Sequence, residues 1–427
     1  MVLVSTGASS AENSKMETLT VNPFCAYLGE SGNTGKEGEG LTLCEALRKV
    51  LAEGALIKAQ EQLYVATEGR VEQAELLPNP TLMGDLDKQN EEVTIQLSQT
   101  LELGGKRSSR ADLARLERLK AKAVFDIKRI EVLEDVKKRF LEVLLIQEKS
   151  AFGQKRYDLA KEILATAQRR VSAGRGTPVE SIKAGLALTA SELEVSRLKA
   201  QLANSRRQLS AAIGVPDSKT LSAVGNLTSM PVDPSNFTAF PLEKSPGFQK
   251  AILDLELRKA ELNLAHSNAI PDLTLSAGAR RYKNEGTTGM LVGVAIPIPI
   301  LNRNQGAIQE AKSQILASEF NRDSERLKVD AEVLGTIQAI QTAYTEAIAF
   351  QRQILPAAEK AFTSANEFFQ RGKLDYLNVL DAQRDLFNSR EQYLQSLSAY
   401  HEALAELERL TGQGISELLI NSGSDKK

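Results

Sequence analysis

The sequence is poor in the side chains from which active sites and cross-linked scaffolds are usually built. Its 427 residues include no tryptophan, two cysteines and two histidines. Two cysteines cannot staple a disulfide scaffold, and with His266 and His401 they cannot supply an ordinary Cys/His metal site. So few histidines also argue against a histidine-based catalytic centre or pH switch. No run of about 18 apolar residues occurs, the most hydrophobic stretch being Met290 to Leu301, so a conventional transmembrane helix is excluded. Neither sign of charge dominates: 53 basic against 55 acidic residues leave a formal charge of −2, which gives no electrostatic footprint for nucleic acid. What remains is a chain that is 42% hydrophobic and 25% charged, ample for a core and long enough for about two or three domains.

The first residues carry a short apolar piece (Val2, Leu3, Val4) and then small residues ending Ala8-Ser9-Ser10-Ala11, like the tail of a secretory signal. A basic n-region and a full apolar h-region are missing, so the reading is an internal start of an exported chain. Residues 12 to 40 are polar and Gly-rich, and 1–40 is expected to be disordered or a residual export segment. Cys25 lacks the small residues expected before a lipidated cysteine and reads as an ordinary thiol.

The rest of the chain is a duplication. Leu77-Pro78-Asn79-Pro80-Thr81-Leu82 recurs as Ile270-Pro271-Asp272-Leu273-Thr274-Leu275, an offset of 193. Leu97 to Leu103 followed by Gly104-Gly105-Lys106-Arg107 is echoed by Val294 to Ile300 followed by Leu301-Asn302-Arg303-Asn304, an offset of 197. Arg170 to Gly174 matches Phe368 to Gly372, and Ala212-Ile213-Gly214 matches Leu410-Thr411-Gly412, both at 198. Each half therefore reads helix, β-hairpin, very long helix, turn, long helix. The expected organisation is a first repeat at 41–214, an irregular connector at 215–246, a second repeat at 247–414 and a tail at 415–427. Five of the 13 prolines (Pro216, Pro231, Pro234, Pro241, Pro246) mark the connector.

The helices are too long for an ordinary globular domain. Lys106 to Phe152 contains neither Gly nor Pro, a span of roughly 70 Å at 1.5 Å per residue, or about 100 Å with its continuation to Ala173. Leu377, Leu380, Phe387, Leu394, Leu397, Leu404 and Leu407 recur at threes, fours and sevens, the stripe of a coiled coil. On the helices alone, a soluble antiparallel coiled-coil scaffold is the simplest reading. The strands (about 80–104 and 272–301) point elsewhere. Val93, Ile95, Leu97, Leu101 and Leu103 alternate with Thr94, Gln96, Ser98, Thr100 and Glu102, and Met290, Val292, Val294, Ile296, Ile298 and Ile300 alternate with smaller partners. Strands of about 9 to 11 residues, apolar on one face and small or polar on the other, have the dimensions of a transmembrane barrel wall. Four strands cannot close a barrel and open edges are not tolerated in lipid, so oligomerisation is expected.

The duplicated plan resembles the TolC-like outer membrane factors, and its wording is closest to the CzcC-type heavy-metal efflux branch. The resemblance is carried by Leu41 to Leu47, Glu68-Gly69-Arg70 with Leu76 to Pro80, Leu101 to Arg107, Pro299 to Gly306 and Leu377 to Gln383. It implies a mainly α fold with a β-barrel part. Three protomers would form a 12-stranded outer membrane β-barrel continuous with a periplasmic α-helical barrel, in the outer membrane of a Gram-negative bacterium. The implied partners are outer membrane lipid, a periplasmic adaptor (membrane fusion protein) and an inner membrane RND pump, with no nucleic acid and no cofactor.

Three sets of residues are singled out. Gly104 and Gly105, and Asn302, Arg303 and Gly306, sit where strand becomes helix, and small or turn-forming residues permit that change of direction. Two helix-helix turns follow, Gly174, Arg175, Gly176, Thr177, Pro178 and Arg371, Gly372, Lys373, Leu374, Asp375, with Gly ending one helix and Thr or Asp capping the next. The resemblance implies that these turns are adaptor-docking tips. It also implies a periplasmic aperture, whose matching positions here are Asn378 and Asp381. A threefold ring of Asp381 would favour cations. No catalytic constellation is found: His401-Glu402 lacks the second histidine of a zinc protease motif, and Gly105-Lys106-Arg107 lacks phosphate-loop spacing. The reading is a passive conduit for divalent metal cations; the alternatives are the same channel carrying organic compounds or secreted protein, and a soluble scaffold.

Overall fold

The computed structural model describes residues 40–87, 89, 91–215, 222–229, 233–237, 240–283 and 285–414. The expected N-terminal segment short of Gly40, the tail at 415–427 and Cys25 lie outside these residues. In chain order the first half runs β1 (Leu41–Thr42), α1 (Leu43–Glu53), α2 (Ala55–Glu75), β2 (Thr81–Asp87), β3 (Glu92–Leu101), α3 (Lys106–Ser172) and α4 (Pro178–Ile213). After β4 (Ala223–Val224) the second half runs α5 (Pro246–Asn268), β5 (Leu273–Tyr282), β6 (Thr287–Ala295), α6 (Gln305–Ala349), α7 (Leu355–Gln370) and α8 (Tyr376–Thr411). The expected succession of elements is thus present twice.

Two compact units divide the chain. One comprises residues up to Lys58, Lys128–Leu242 and Asp330 onward; the other comprises Ala59–Ile127 and Glu243–Val329. Each unit draws on both repeats, because α3 and α6 contribute to both.

The first unit is helical. Ile163 and Ala167 of α3, Ala184 of α4, Ala365 and Phe369 of α7, and Tyr376 and Val379 of α8 form one buried cluster beside the two helix-helix turns. Elsewhere in the unit Leu47, Phe140, Ile213, Leu227 and Tyr400 are fully buried. The described part of the connector is fastened here: Gln147 donates to Ser222 Oγ at 3.1 Å and Leu41 N–H donates to the Ser222 carbonyl at 2.7 Å. The parallel pairing of β1 with β4 extends that seam and was not expected from sequence, since two-residue strands carry no periodicity. The first helix is also cut in two at Gly54, and α1 starts with a reciprocal cap in which Thr42 and Glu45 exchange hydrogen bonds of 3.3 and 3.1 Å. Cys44 on α1 is disulfide-bonded and not a free thiol.

The second unit carries one antiparallel sheet in the order β2-β3-β5-β6. Its second hairpin is shorter than expected. The alternation of Ile296, Ile298 and Ile300 continues the pattern, but the ladder stops at Ala295 because Pro297 and Pro299 have no N–H to donate.

Candidate functional site

The sheet register puts like with like. Leu82, Leu97, Ala277 and Val292 lie in one row, and Gly84, Ile95, Ala279 and Met290 in the next. This face is exposed, with Leu82 at 70%, Val292 at 84% and Met290 at 89%. On the opposite face Thr94, Gln96, Ser98, Ser276 and Arg280 alternate with glycines 278, 289 and 293; Arg280 pairs with Glu92 at 3.4 Å and donates to Thr94 Oγ1 at 3.1 Å. A water-soluble sheet buries its apolar face and wets its polar one. Here the order is inverted, which suits a wall with hydrocarbon outside and water inside.

At the strand-to-helix turns the first repeat is as expected: Gly104 and Gly105 both have positive φ, 69° and 72°. A Cβ on Gly104 would also fall 2.7 Å from Ile270, so only glycine fits there. The second repeat corrects the expectation. Gly306 lies inside α6 and has no left-handed backbone; the residue that turns the chain is Asn304, with φ 58°. Asn302 Oδ1 accepts from the Asn304 N–H at 3.0 Å, and Asn304 Nδ2 donates to the Ala265 carbonyl at 2.7 Å, fixing the turn to α5. Arg303 anchors it from the other side through Nε to the Pro299 carbonyl at 3.2 Å.

The two helix-helix turns are copies of one another. Gly174 and Gly372 have φ of 68° and 72°. Arg175 N–H bonds to the Arg170 carbonyl and Gly174 N–H to Val171; Lys373 N–H bonds to Phe368 and Gly372 N–H to Phe369, at 2.8 to 3.0 Å. That is the Schellman pattern, repeated at an offset of 198. Thr177 and Asp375 occupy the N-cap positions with extended backbone, but neither side chain makes the expected cap hydrogen bond. Gly174, Arg175, Thr177, Pro178, Arg371, Gly372, Lys373 and Asp375 are exposed, while Gly176 and Leu374 are half-buried. Sequence reasoning missed what joins the two turns. Arg170 donates through Nη1 to the Phe369 carbonyl and lies over the Phe369 ring at 4.6 Å, so the first hairpin caps the end of α7. An arginine in the last turn of a helix was the available signal.

Asn378 and Asp381 share the exposed side of α8, against Tyr376, Val379 and Gln383 on its buried side. Between α7 and α6 the helix adopts one π-turn, Phe350–Ile354, immediately before Pro356. A wider turn there relieves the clash of the proline ring with the preceding turn. The first repeat has no such break in α3.

Two buried polar features of the first unit were also invisible in sequence. Lys137 and Glu408 form a buried ion pair between α3 and α8. Beside it Lys138 bridges Glu134 and Glu406, at 2.5 and 2.9 Å, and Arg409 contacts the same two carboxylates. Burial and the hydrogen bond to Glu406 push Glu134 up to about 7. Burial alone would raise Glu406 as well, but its bonds to Glu134, Arg409 and Lys138 outweigh that and lower it to about 2, so the two carboxylates share one proton at mildly acidic pH. His401 is completely buried, and neither ring nitrogen has a hydrogen-bond partner among the described residues. Burial depresses it to about 4, opposed only by the nearby Leu227 backbone. Among the described residues no group of three or more His, Cys, Asp or Glu is placed to hold a metal ion.

A family model described as outer membrane efflux protein matches residues 68–215 and 241–413, that is, both repeats. The cobalt-zinc-cadmium resistance protein CzcC of Cupriavidus metallidurans is 33% identical over 377 residues, covering 87% of this chain and 90% of the relative. The crystal structure of the outer membrane protein VceC from Vibrio cholerae superposes with a TM-score of 0.73 at 16% identity, over 87% of this chain and 96% of that one. A structure of CusC, described in connection with transmembrane channel formation, gives 0.72 at 16% identity, over 91% of this chain and 96% of that one. At these identities the solved structures speak for the fold, and the family match speaks for the kind of protein. The inverted sheet, the duplicated hairpins and the sequence match converge: the chain belongs to the outer membrane efflux protein family, whose members are conduits and not enzymes.

Proposed function

We propose that this chain is the outer membrane channel of a tripartite efflux system, assembled from three copies and passing divalent heavy-metal cations. The observation that carries the reading is the sheet with its apolar face outward and its outer strands β2 and β6 unpaired on one side among the described residues. Unpaired strand edges are not viable in hydrocarbon. Because the strands alternate in direction, β6 of one copy meets β2 of the next antiparallel, and three copies give a closed 12-stranded cylinder with a polar interior. The disulfide at Cys44 suits an oxidising compartment such as the periplasm.

The two exposed turns, Gly174 to Pro178 and Arg371 to Asp375, would dock a periplasmic adaptor fed by an RND-type pump. Asn378 and Asp381, exposed on α8, would line the aperture, where three Asp381 carboxylates bring like charges together and favour cations. The relative named for cobalt, zinc and cadmium resistance supports metal as the cargo. Deleting the gene and challenging cells with cobalt, zinc, cadmium and a set of organic compounds tests the cargo: metal sensitivity is expected, and unchanged metal tolerance with new sensitivity to organic compounds would contradict it. In planar bilayers Asp381→Asn is expected to lower cation over anion selectivity at low salt; an unchanged reversal potential would remove Asp381 from the aperture.

A further inference from the structure

Resting on the membrane reading above, we propose that the helix-side edge of the sheet binds the phosphates of phospholipids in the adjoining leaflet, through Arg107 and Arg303. The antiparallel order brings the starts of β2 and β5 and the ends of β3 and β6 to this one edge. Exposed apolar side chains gather there from all four strands: Leu77, Leu103, Ile270, Ile298 and Leu301. Charged groups begin within a few residues of them. Three carboxylates at the edge are already neutralised, Glu75 by Arg115 at 2.6 Å, Glu102 by Arg110 at 2.6 Å and Asp272 by Lys106 at 2.7 Å. Arg107 and Arg303 are both exposed, and neither forms an ion pair with a described residue, so the edge carries two uncompensated positive charges.

Each of these guanidiniums is held by its Nε alone, Arg107 on the Glu75 carbonyl at 2.6 Å and Arg303 on the Pro299 carbonyl at 3.2 Å. The plane of each group is thereby set while its Nη atoms stay available, the arrangement that suits a phosphate oxygen pair. An open groove adjoins each anchor. One, of about 660 Å³, is lined by Leu76, Leu77, Pro78 and Arg110; the other, of about 730 Å³, by Ile270, Pro297, Ile298, Ile300 and Leu301. Apolar grooves bordered by unpaired arginines match a lipid, whose acyl chains and phosphodiester need both; a free anion would leave the leucines and isoleucines unused. The opposite edge differs in sign. There Asp85, Asp87, Glu91, Glu92 and Glu285 face Arg280, Arg281 and Lys283, an excess of acid among the described residues.

The test uses the full chain purified in detergent, titrated with dioleoylphosphatidylglycerol or with dioleoylglycerol, which lacks the phosphate, while native mass spectrometry counts the retained lipids. Wild type is expected to retain the phospholipid over the diacylglycerol by roughly tenfold or more, and R107Q/R303Q to lose that preference. R107K/R303K is expected to keep part of it, having charge without the planar fork. The same spectra report whether the double variant keeps the wild-type oligomer; should it not, R107Q and R303Q singly are each expected to weaken retention roughly threefold to fivefold. Millimolar inorganic phosphate is expected not to displace the lipid. Equal retention of both lipids by wild type, unchanged preference in the variants, or displacement by inorganic phosphate would overturn the proposal while leaving the channel intact. Failure of the wild-type chain to insert into any vesicle would overturn the membrane reading and this inference together.

Discussion

His401 shows how burial gives a side chain a pH dependence that its own chemistry does not announce. Its folded pKa of about 4 lies below the ordinary 6.5, so the unfolded chain binds the extra proton first. The stability this provides is present in full above pH about 6.5 and is lost as pH falls toward about 4, on the order of 3 kcal/mol for each copy. Because neither ring nitrogen is hydrogen-bonded among the described residues, an apolar replacement of similar size leaves no partner stranded. His401→Leu is therefore expected to match wild type at pH 7.5 and to hold its melting temperature better at pH 4.5. An unchanged acid sensitivity in thermal unfolding would place the effect on other groups. Glycine choices are just as local. Gly104 is dictated by the approach of Ile270, whereas at the matching turn Asn304 takes the left-handed backbone because its amide can hold Ala265.

Strands and helices were legible in sequence to different degrees, and each difference has a physical reason. The two hairpins could be read because side chains alternate with period two over whole strands, and the polarity of the two faces is the reverse of what a soluble sheet needs. Where Pro297 and Pro299 interrupt the ladder, the alternation of isoleucines continues and misleads, since patterning records which face meets apolar surroundings and not which N–H groups are paired. The long helices were legible from the absence of breakers, but the cut at Gly54 and the π-turn before Pro356 were not drawn from single residues inside helical runs. The Arg170 bridge and the Glu134–Glu406 pair join segments far apart in sequence, so no local pattern announces them. The sheet gives a sharp test. Val292→Arg, on the exposed apolar face, is expected to cost about 2–4 kcal/mol per copy in vesicle folding titrations if it sits near mid-membrane. Gln96→Arg, on the polar face, is expected to be tolerated. Equal penalties at the two positions would mean that the faces are not distinguished by lipid.

Assembly is where the account stands or falls. A single chain of 46.5 kDa brings four strands with two unsatisfied edges, and its duplicated hairpins end in exposed turns that nothing in the same chain covers among the described residues. Both features are explained at once by a closed ring of copies in lipid, with the turns left for an adaptor. The family to which the chain belongs makes a membrane channel the natural setting. The number of copies is fixed by the strand count needed to enclose water and by the geometry of one β6 against the next β2. The most direct measurement is the mass of the complete chain extracted from outer membranes in mild detergent, by native mass spectrometry or light scattering corrected for bound detergent. A complex of three 46.5 kDa chains, less any segment removed during export, that requires detergent for solubility is the predicted result. A stable monomer that remains soluble without detergent would contradict the account.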